Sequence, residues 1–379
     1  MTLVTQAQAG FQRAFEYEAT GVWSAPGRAN LIGEHTDYNN GFVLPFGINH
    51  RTYAAVALRS DRICRVSSEI DSKIYEYELN DEKPAGLDWA LYPLGVAWAL
   101  KDSATVGFDC FIASDVPIGA GLSSSAAIES AMGSALNDLW VAGKTRKELA
   151  LIGQKAENQV VGAPTGIMDQ TASMMAQPDA AVLIDCQDLD ITLVDLGLSK
   201  HDLVVAVIDT QVSHSHAYGG YGSRRKSCED GARALGVAFL RELSLSDLPR
   251  AQSQLDDITF RRVRHIITEN QRVLDTVGAL RDGNLESLGR LLLESHASMR
   301  DDFEISVPEL DLAVETAMAS GAIGARMTGG GFGGAAIAII HKDKLAELEQ
   351  NCLRAFANQG FMEPRVFAVV PSEGAKREL

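Results

Sequence analysis

A dense polar run near the N-terminus is the segment of this chain best suited to chemistry. Between Gly27 and Asn39 it places Arg28, Asn30, Glu34, His35, Thr36, Asp37 and Tyr38, with only a few apolar residues among them. No helical or strand periodicity fits the run, and buried polar groups would each need a hydrogen-bonding partner. Carboxylate acceptors beside guanidinium and imidazole donors suit a small ligand with many hydroxyl groups, because a hydroxyl both donates and accepts. The alternative is a solvated turn between two strands.

A glycine- and serine-rich segment, residues 117–127, is the second candidate. Its glycines allow the backbone to approach a ligand closely, and the helix predicted after it offers unpaired N–H groups to an anion. Its serines suit helix capping or the binding of phosphate and metal. It is not a Walker loop, because no Gly-Lys-Ser/Thr follows, and Ser124 stands where a dinucleotide fingerprint needs a glycine. An ordinary capped loop is the alternative.

A run of five glycines around one aromatic residue, residues 329–334, is the third candidate. Glycine loses more conformational freedom on folding than any other residue, so such a run between two predicted strands needs a reason. A flexible hinge is the alternative to a functional loop.

The overall composition limits the classes of function. A net charge of −16 argues against binding nucleic acid or an anionic membrane as a main role. The five cysteines are scattered without Cys-x-x-Cys spacing, which indicates neither a disulfide framework nor a zinc site and fits a reducing compartment. Without a signal-peptide pattern or a long apolar run, the chain is expected to be soluble and cytoplasmic.

The predicted elements indicate an α+β fold. Strands and helices mix in both halves of the 379 residues without regular βαβ repetition, and the length favours two or three domains. A strand is predicted over Phe108–Ser114, and helices over Ser124–Leu139 and Arg146–Val161. A boundary is expected near 195–202, between two apolar segments.

The three motifs, in this order, resemble those of the kinase superfamily that includes galactokinase, homoserine kinase and mevalonate kinase (the GHMP kinases). The first resembles the galactokinase signature almost residue for residue and continues so through 40–45. The resemblance implies a two-domain α+β fold with the active site in the interdomain cleft. Residues 1–198 would form the sugar- and phosphate-binding domain, and 199–379 the domain that completes the cleft. The implied reaction is ATP-dependent phosphorylation of α-D-galactose at its anomeric hydroxyl.

The resemblance also implies roles for individual residues. Asp169, in a segment similar to the family's catalytic one, would accept or orient the sugar's proton, and Arg28 would stabilise the transferring group. Mg²⁺ would be held by Ser125 and Glu157. The sugar would contact Glu34, His35, Thr36, Asp37, Gly166 and Tyr221, and the nucleotide phosphates Gly119, Ala120, Gly121, Leu122, Ser123, Ser124 and Ser125. Thr165 departs from the cysteine that many galactokinases have there.

Two other functions remain open at this point. One is a related kinase for N-acetylgalactosamine, arabinose or homoserine; the Glu-His-Thr-Asp set of the first motif favours a sugar over an amino acid. The other is a non-catalytic galactose sensor, which the presence of Asp169, Arg28 and Glu157 opposes. The expected partners are galactose and ATP, with no nucleic acid, no membrane and no evident obligate protein partner.

Some polar clusters are given a structural interpretation. His214 and His216 are interpreted as part of a surface loop rather than as a metal pair. The basic run 261–264 is interpreted as a solvated helix face. Arg224 and Arg225 are expected to be structural ion-pair donors rather than phosphate ligands.

Overall fold

The structure, a computed structural model, describes residues 2–80, 82–212 and 217–379. His214 and His216 lie outside the described residues, so the interpretation of that pair stays a prediction. Within the described part, no helix combines the length and apolar character needed to cross a bilayer.

Helices and strands alternate irregularly along the chain. The helices are α1 Leu3–Phe15, α2 Leu91–Ala99, α3 Ser124–Leu139, α4 Arg146–Ala156, α5 Met168–Met175, α6 Ala217–Leu235, α7 Leu248–Gln254, α8 Asp257–Arg281, α9 Leu285–Ser298, α10 Pro308–Ala319 and α11 Leu345–Gln359. The strands are β1 Gly21–Asn30, β2 Phe42–Val43, β3 Pro45–Leu58, β4 Ile63–Ser68, β5 Tyr75–Glu78, β6 Phe108–Ser114, β7 Ala180–Asp185, β8 Asp190–Asp195, β9 Leu203–Asp209, β10 Gly324–Thr328, β11 Ala335–His341, β12 Arg365–Val369 and β13 Lys376–Arg377.

The first sheet has the strand order β13-β1-β3-β6-β4-β5 and is antiparallel except where β4 pairs with β6. Helix α3 packs on β1 and β3, and α1 packs on β3 and β6. All ten residues of β1 are buried. The polar run therefore begins inside a strand, although residues 27–30 show no strand period in the sequence. A strand buried on both faces shows no alternation of apolar and polar residues.

A second, antiparallel sheet has the order β10-β11-β9-β12, and a small third sheet joins β2, β7 and β8. Together these sheets and helices confirm the α+β class. The division at residue 198 stays a prediction. Strand β13, near the end of the chain, pairs with β1 through Trp23 and Arg377, so the C-terminal segment returns to the first sheet.

The elements around the glycine- and serine-rich segment lie close to the bounds predicted from the sequence. Strand β6 and helix α3 have the predicted bounds. The helix predicted over Arg146–Val161 is α-helical only to Ala156 and continues as a π-helical turn over Glu157–Val161. Single π turns are frequent at functional sites. Here the turn begins at the predicted metal-binding glutamate.

Candidate active site

The three loops line one cleft of about 410 Å³. Residues 163–166, Met168 and Asp169 also line it, as does Tyr221 from α6. Of the predicted site residues, those lining it are Arg28, Glu34, His35, Asp37, Gly119, Gly121, Leu122, Ser123, Ser124, Ser125, Glu157, Gly166, Asp169 and Tyr221. Thr36 and Ala120 are fully buried and are not among the lining residues.

Arg28 and Asp169 form a bidentate ion pair at the centre of the cleft. Arg28 Nε donates to Asp169 Oδ1 and Nη2 donates to Oδ2, each at 2.8 Å. Arg28 Nη1 also donates to the Gly121 carbonyl at 2.6 Å, so the same side chain reaches the glycine–serine loop. A guanidinium has five N–H donors, and two of Arg28's remain for an anionic ligand. The arrangement brings a carboxylate, a cation and a phosphate-type loop together.

The glycine–serine loop presents the start of α3 to the cleft. Gly119 and Gly121 have φ values of +80° and +71°, which glycine adopts without strain. Ser123 precedes the helix but its side chain does not cap it; its hydroxyl donates to Asp169 Oδ2 instead. The first N–H groups of the helix therefore face the cleft without a side-chain cap from Ser123, which suits an anion.

Glu34 is almost completely buried and bridges two loops. It accepts hydrogen bonds from the Gly329 N–H at 2.7 Å and from Arg326 Nη2 at 2.7 Å. Burial raises the pKa of Glu34, and Arg326 opposes that shift. The carboxylate therefore ties the polar run to the glycine run, and it still borders the cleft.

Both ring nitrogens of His35 have protein partners. Nε2 lies 3.1 Å from the Gly330 carbonyl, and Nδ1 lies 2.8 Å from the Tyr38 hydroxyl. Burial lowers the pKa of His35 to about 3, so the ring is neutral. Since a carbonyl only accepts, Nε2 carries the proton and Nδ1 accepts from Tyr38. His35 thus lines the cleft with a ring that is already hydrogen bonded and packs, in a tilted arrangement, with its centroid 4.9 Å from that of Tyr221.

Asp37 packs directly against Gly166. A Cβ at position 166 would lie 1.8 Å from Asp37 Oδ2, so only glycine fits there. Burial, and then the neighbouring Asp169, raise the pKa of Asp37 to about 6. The Tyr38 N–H donates to Asp37 Oδ1 at 2.9 Å. The geometry leaves a partly satisfied carboxylate beside Asp169 at the cleft surface.

Thr36 lies behind the part of the polar loop that lines the cleft. Its hydroxyl lies 2.6 Å from the Phe42 carbonyl and 2.9 Å from the Gly33 carbonyl, and the side chain is fully buried. Thr36 therefore stabilises the polar loop from within, and its contact with the substrate stays a prediction.

Glu157 offers a buried carboxylate beside the serine loop. Its Oε2 accepts from the Thr165 hydroxyl at 2.8 Å and from Gln170 Nε2 at 2.7 Å, and the Ser125 hydroxyl is a further donor. Burial, and then Asp169, raise the pKa of Glu157. Thr165, the departure from the common cysteine, therefore positions this carboxylate. A carboxylate and a hydroxyl are the hard oxygen ligands that Mg²⁺ prefers.

Gln170 and Glu129 were not found by sequence reasoning. Gln170 Nε2 donates to Glu129 Oε2 at 2.8 Å as well as to Glu157, so one amide bridges two buried carboxylates. Burial and the nearby Glu157 raise the pKa of Glu129 well above its ordinary value. The sequence signal for Gln170 was its position directly after the predicted catalytic residue Asp169. Glu129 lies inside helix α3, and its sequence context gave no signal of a role at the site.

The arginines that were not assigned to ligand binding have different surroundings in the structure. Arg225 pairs with Glu229 at 3.2 Å and donates to the Pro164 carbonyl at 3.0 Å, as expected of a structural ion-pair donor. Arg224 is also structural, but its acceptors are the backbone carbonyls of Phe303 and Glu304. Arg262, by contrast, is 3% exposed and bonds the Asp302 carbonyl and Glu304. The prediction of a solvated face over 261–264 was therefore wrong at Arg262.

Three family models match successive parts of the chain. Residues 9–58 match the galactokinase galactose-binding signature, residues 92–177 the N-terminal domain of GHMP kinases, and residues 276–359 their C-terminal domain. The fold and the phosphate-type loop define the class: this is a small-molecule kinase of the GHMP type. Kinases of this class use ATP, generally with Mg²⁺.

Full-length relatives identify the family within that class. A galactokinase of Streptomyces coelicolor is 48% identical over 97% of this chain and 96% of its own length. A galactokinase of Streptomyces lividans is 46% identical over 92% of this chain and 89% of its own. The chain belongs to the galactokinase family.

Solved structures agree at the level of the whole fold. The crystal structure of Lactococcus lactis galactokinase complexed with galactose has a TM-score of 0.94 and 32% identity, covering 99% of this chain and 100% of that one. A mevalonate kinase has a TM-score of 0.67 at 17% identity, covering 93% of this chain and 99% of that one, and shows the shared fold alone.

Proposed function

We propose that the cleft transfers the γ-phosphoryl group of ATP to the anomeric hydroxyl of α-D-galactose, giving galactose 1-phosphate and ADP. The observation that carries this proposal is the Arg28–Asp169 pair, which joins the polar loop to the glycine–serine loop in one cleft. Positioning and charge stabilisation supply most of the catalysis in phosphoryl transfer. This pair offers both at the point where the two substrates would meet.

Different residues of the cleft would bind the two substrates. The polar loop, with Asp37, Gly166 and Tyr221, would hold the sugar, and segment 119–125 would hold the nucleotide phosphates. Asp169 takes or orients the proton of the anomeric hydroxyl while that oxygen bonds to the γ-phosphorus. The bond from phosphorus to the β-bridging oxygen breaks, and ADP leaves with the electron pair. The two free N–H donors of Arg28 stabilise the transferring group.

Mg²⁺ fits the oxygen donors of Ser125 and Glu157, which would hold it beside the phosphate loop. When bound, it neutralises charge on the β- and γ-phosphate oxygens. Thr165 and Gln170 keep the Glu157 carboxylate in place through its Oε2.

A substrate panel tests the proposed function. ADP release is measured with galactose, glucose, N-acetylgalactosamine, arabinose and homoserine, and the phosphorylated carbon is identified by phosphorus–proton NMR. We expect galactose to be used best and the phosphate to appear at the anomeric carbon. Preference for another acceptor would support a related kinase. Galactose binding without ADP release would support a sensor.

Replacing Glu157 by glutamine is expected to raise the magnesium concentration needed for half-maximal activity. Mg²⁺ is held by few protein ligands, so the loss of one carboxylate charge matters. Magnesium titrations of the wild type and the variant measure the effect. Asp109→Asn is the control, because Asp109 is a fully buried carboxylate that does not line the cleft. An unchanged requirement in Glu157→Gln would place the metal elsewhere.

Galactose affinity is expected to fall as the pH falls below about 6. The pKa of Asp37 is raised to about 6, so below that pH its carboxyl group is protonated and accepts hydrogen bonds less well. For one proton, the dissociation constant rises by at most about tenfold per pH unit. Calorimetry between about pH 5 and about pH 8 measures this. Asp37→Asn should lack the inflection, and a flat wild-type profile would contradict the role of this carboxylate.

A further inference from the structure

A buried group of four charged side chains lies beneath the polar loop. We call it the loop clamp: Glu34 on the loop, Arg326 on β10, and Glu269 and Arg272 on α8. Arg326, Glu34 and Glu269 are almost completely buried. Arg272 Nε pairs with Glu269 Oε2 at 2.8 Å, and Arg326 Nη2 lies 3.8 Å from Glu269 Oε1. Two carboxylates thus face two guanidiniums, which meets the requirement that buried charges be paired.

The clamp holds the backbone of the polar loop as well as its side chain. Arg326 Nη1 donates to the carbonyls of Asn30 at 3.2 Å and Leu31 at 3.0 Å. Glu269 Oε1 accepts from the Gly33 N–H at 3.0 Å. Residues 31–36 contain no helix or strand. Much of the loop's conformation therefore depends on groups from a distant strand and helix.

The orientation of the Glu34 carboxylate follows from the same contacts. Its Oε2 is occupied by Asn30 Nδ2 and by Arg326 Nη2. Its Oε1 accepts from the Gly329 N–H. The Thr328 hydroxyl lies 3.2 Å from the same Oε1, but it also lies 3.1 Å from the Asn30 carbonyl and can donate to either oxygen. Because one hydroxyl proton can serve only one of these acceptors fully, Oε1 retains capacity for a ligand hydroxyl.

We propose that Arg326 is a positioning residue for the sugar. It does not line the cleft and acts through Glu34 and the loop backbone, so it sets the affinity for galactose and not that for ATP. This inference rests on the proposed function. The planar fork of arginine reaches three acceptors at once, whereas the ammonium group of lysine keeps the charge but not that geometry.

Galactose and ADP affinities, measured separately by calorimetry, test this proposal in Arg326→Lys. We expect the galactose dissociation constant to rise by about tenfold to about a hundredfold, since small misplacements of positioning groups have effects of that order. The ADP dissociation constant should change by less than about twofold. Arg51→Lys is the matched control: Arg51 is a buried arginine that bonds the Glu373 and Gly374 carbonyls away from the cleft. It should alter thermal stability without altering galactose affinity.

A double-mutant cycle separates positioning from general destabilisation. Arg326→Lys and Glu34→Gln together should weaken galactose binding by less than the product of their separate effects, because both act through one carboxylate. Arg51→Lys combined with Glu34→Gln should show independent effects. If Arg326→Lys does not fold, Glu269→Gln replaces it. Glu269→Gln loosens the loop through its contact with the Gly33 N–H, and it should weaken galactose binding without weakening ADP binding.

Two results would overturn the inference: unchanged galactose affinity in Arg326→Lys, or an equal loss of galactose and ADP affinity. These measurements do not depend on turnover. A wild-type protein that binds galactose without phosphorylating it would refute the proposed function, and the binding comparison would still decide the role of Arg326.

Discussion

Replacing Asp169 by asparagine is expected to lower kcat by about 10²–10⁴-fold, the usual contribution of a positioned acid–base group, while galactose still binds. Asparagine keeps the size of the side chain but removes the charge that takes or orients the proton. Asp169 accepts from Arg28 Nε, Arg28 Nη2 and the Ser123 hydroxyl. An amide nitrogen would oppose one donor at the Oδ1 position and two at the Oδ2 position. ADP release and galactose calorimetry measure the two effects separately.

Asp109→Asn is the matched control for this prediction. Asp109 is a fully buried carboxylate in a bidentate pair with Arg65, with both contacts at 2.6 Å, and it does not line the cleft. Its replacement should lower stability and leave the kcat of the folded enzyme unchanged. Near-normal turnover in Asp169→Asn with intact sugar binding would refute the assignment. A comparable loss of kcat in Asp109→Asn would show that breaking any buried ion pair is enough to lower turnover.

Local patterns in the sequence predicted the elements that carry the phosphate loop. Helix α3 is rich in alanine and has no Pro, and β6 is a short, mostly apolar strand, so each is determined largely by its own residues. The glycines at 119 and 121 have the positive φ angles that their position in the loop requires. Conformations of this kind are encoded locally, and the sequence could reveal them.

Other features depend on partners far away in the sequence. Arg262 is buried because its guanidinium meets Asp302 and Glu304 some forty residues later. Strand β1 lacks a period-two pattern because helices and a neighbouring sheet cover it on both sides. A basic run gives no local sign of such partners, so the solvated interpretation of residues 261–264 was the natural error.

The same reason explains which site residues were missed. Arg326 reaches Glu34 across 292 positions, and Gln170 reaches Glu129 across 41. The sequence motifs identify the groups that face the cleft, since those residue types are unusual in a run. The groups behind them are ordinary charged residues of strands and helices. Only the fold shows that they hold the cleft-facing residues in place.

Replacing Asp37 by alanine is expected to reduce galactose use severely and to blur the distinction between galactose and glucose, its C4 epimer. Epimers have the same composition and size, so a pocket distinguishes them only by placing acceptors where one stereochemistry directs a hydroxyl. A hydrogen bond to a charged group contributes about 1.5–3 kcal/mol. Leaving such a group unpaired costs more, and polar sites discriminate by roughly 10⁴-fold. Without Asp37 both effects vanish, so kcat/KM should fall far more for galactose than for glucose.

Gly166 provides an internal control for this prediction, because its missing side chain makes room for Asp37. In Gly166→Ala the new Cβ would meet Asp37 Oδ2 at 1.8 Å and its Cγ at 2.1 Å, so the carboxylate must move and galactose use should fall. In the Asp37→Ala background those atoms are absent, and Gly166→Ala should cost little more. The measurement is kcat/KM for galactose and glucose in the wild type, both single variants and the double variant. Parallel losses for the two sugars would show that Asp37 maintains the shape of the loop and does not distinguish the sugars. Independent effects of the two substitutions would show that Gly166→Ala does not act through Asp37.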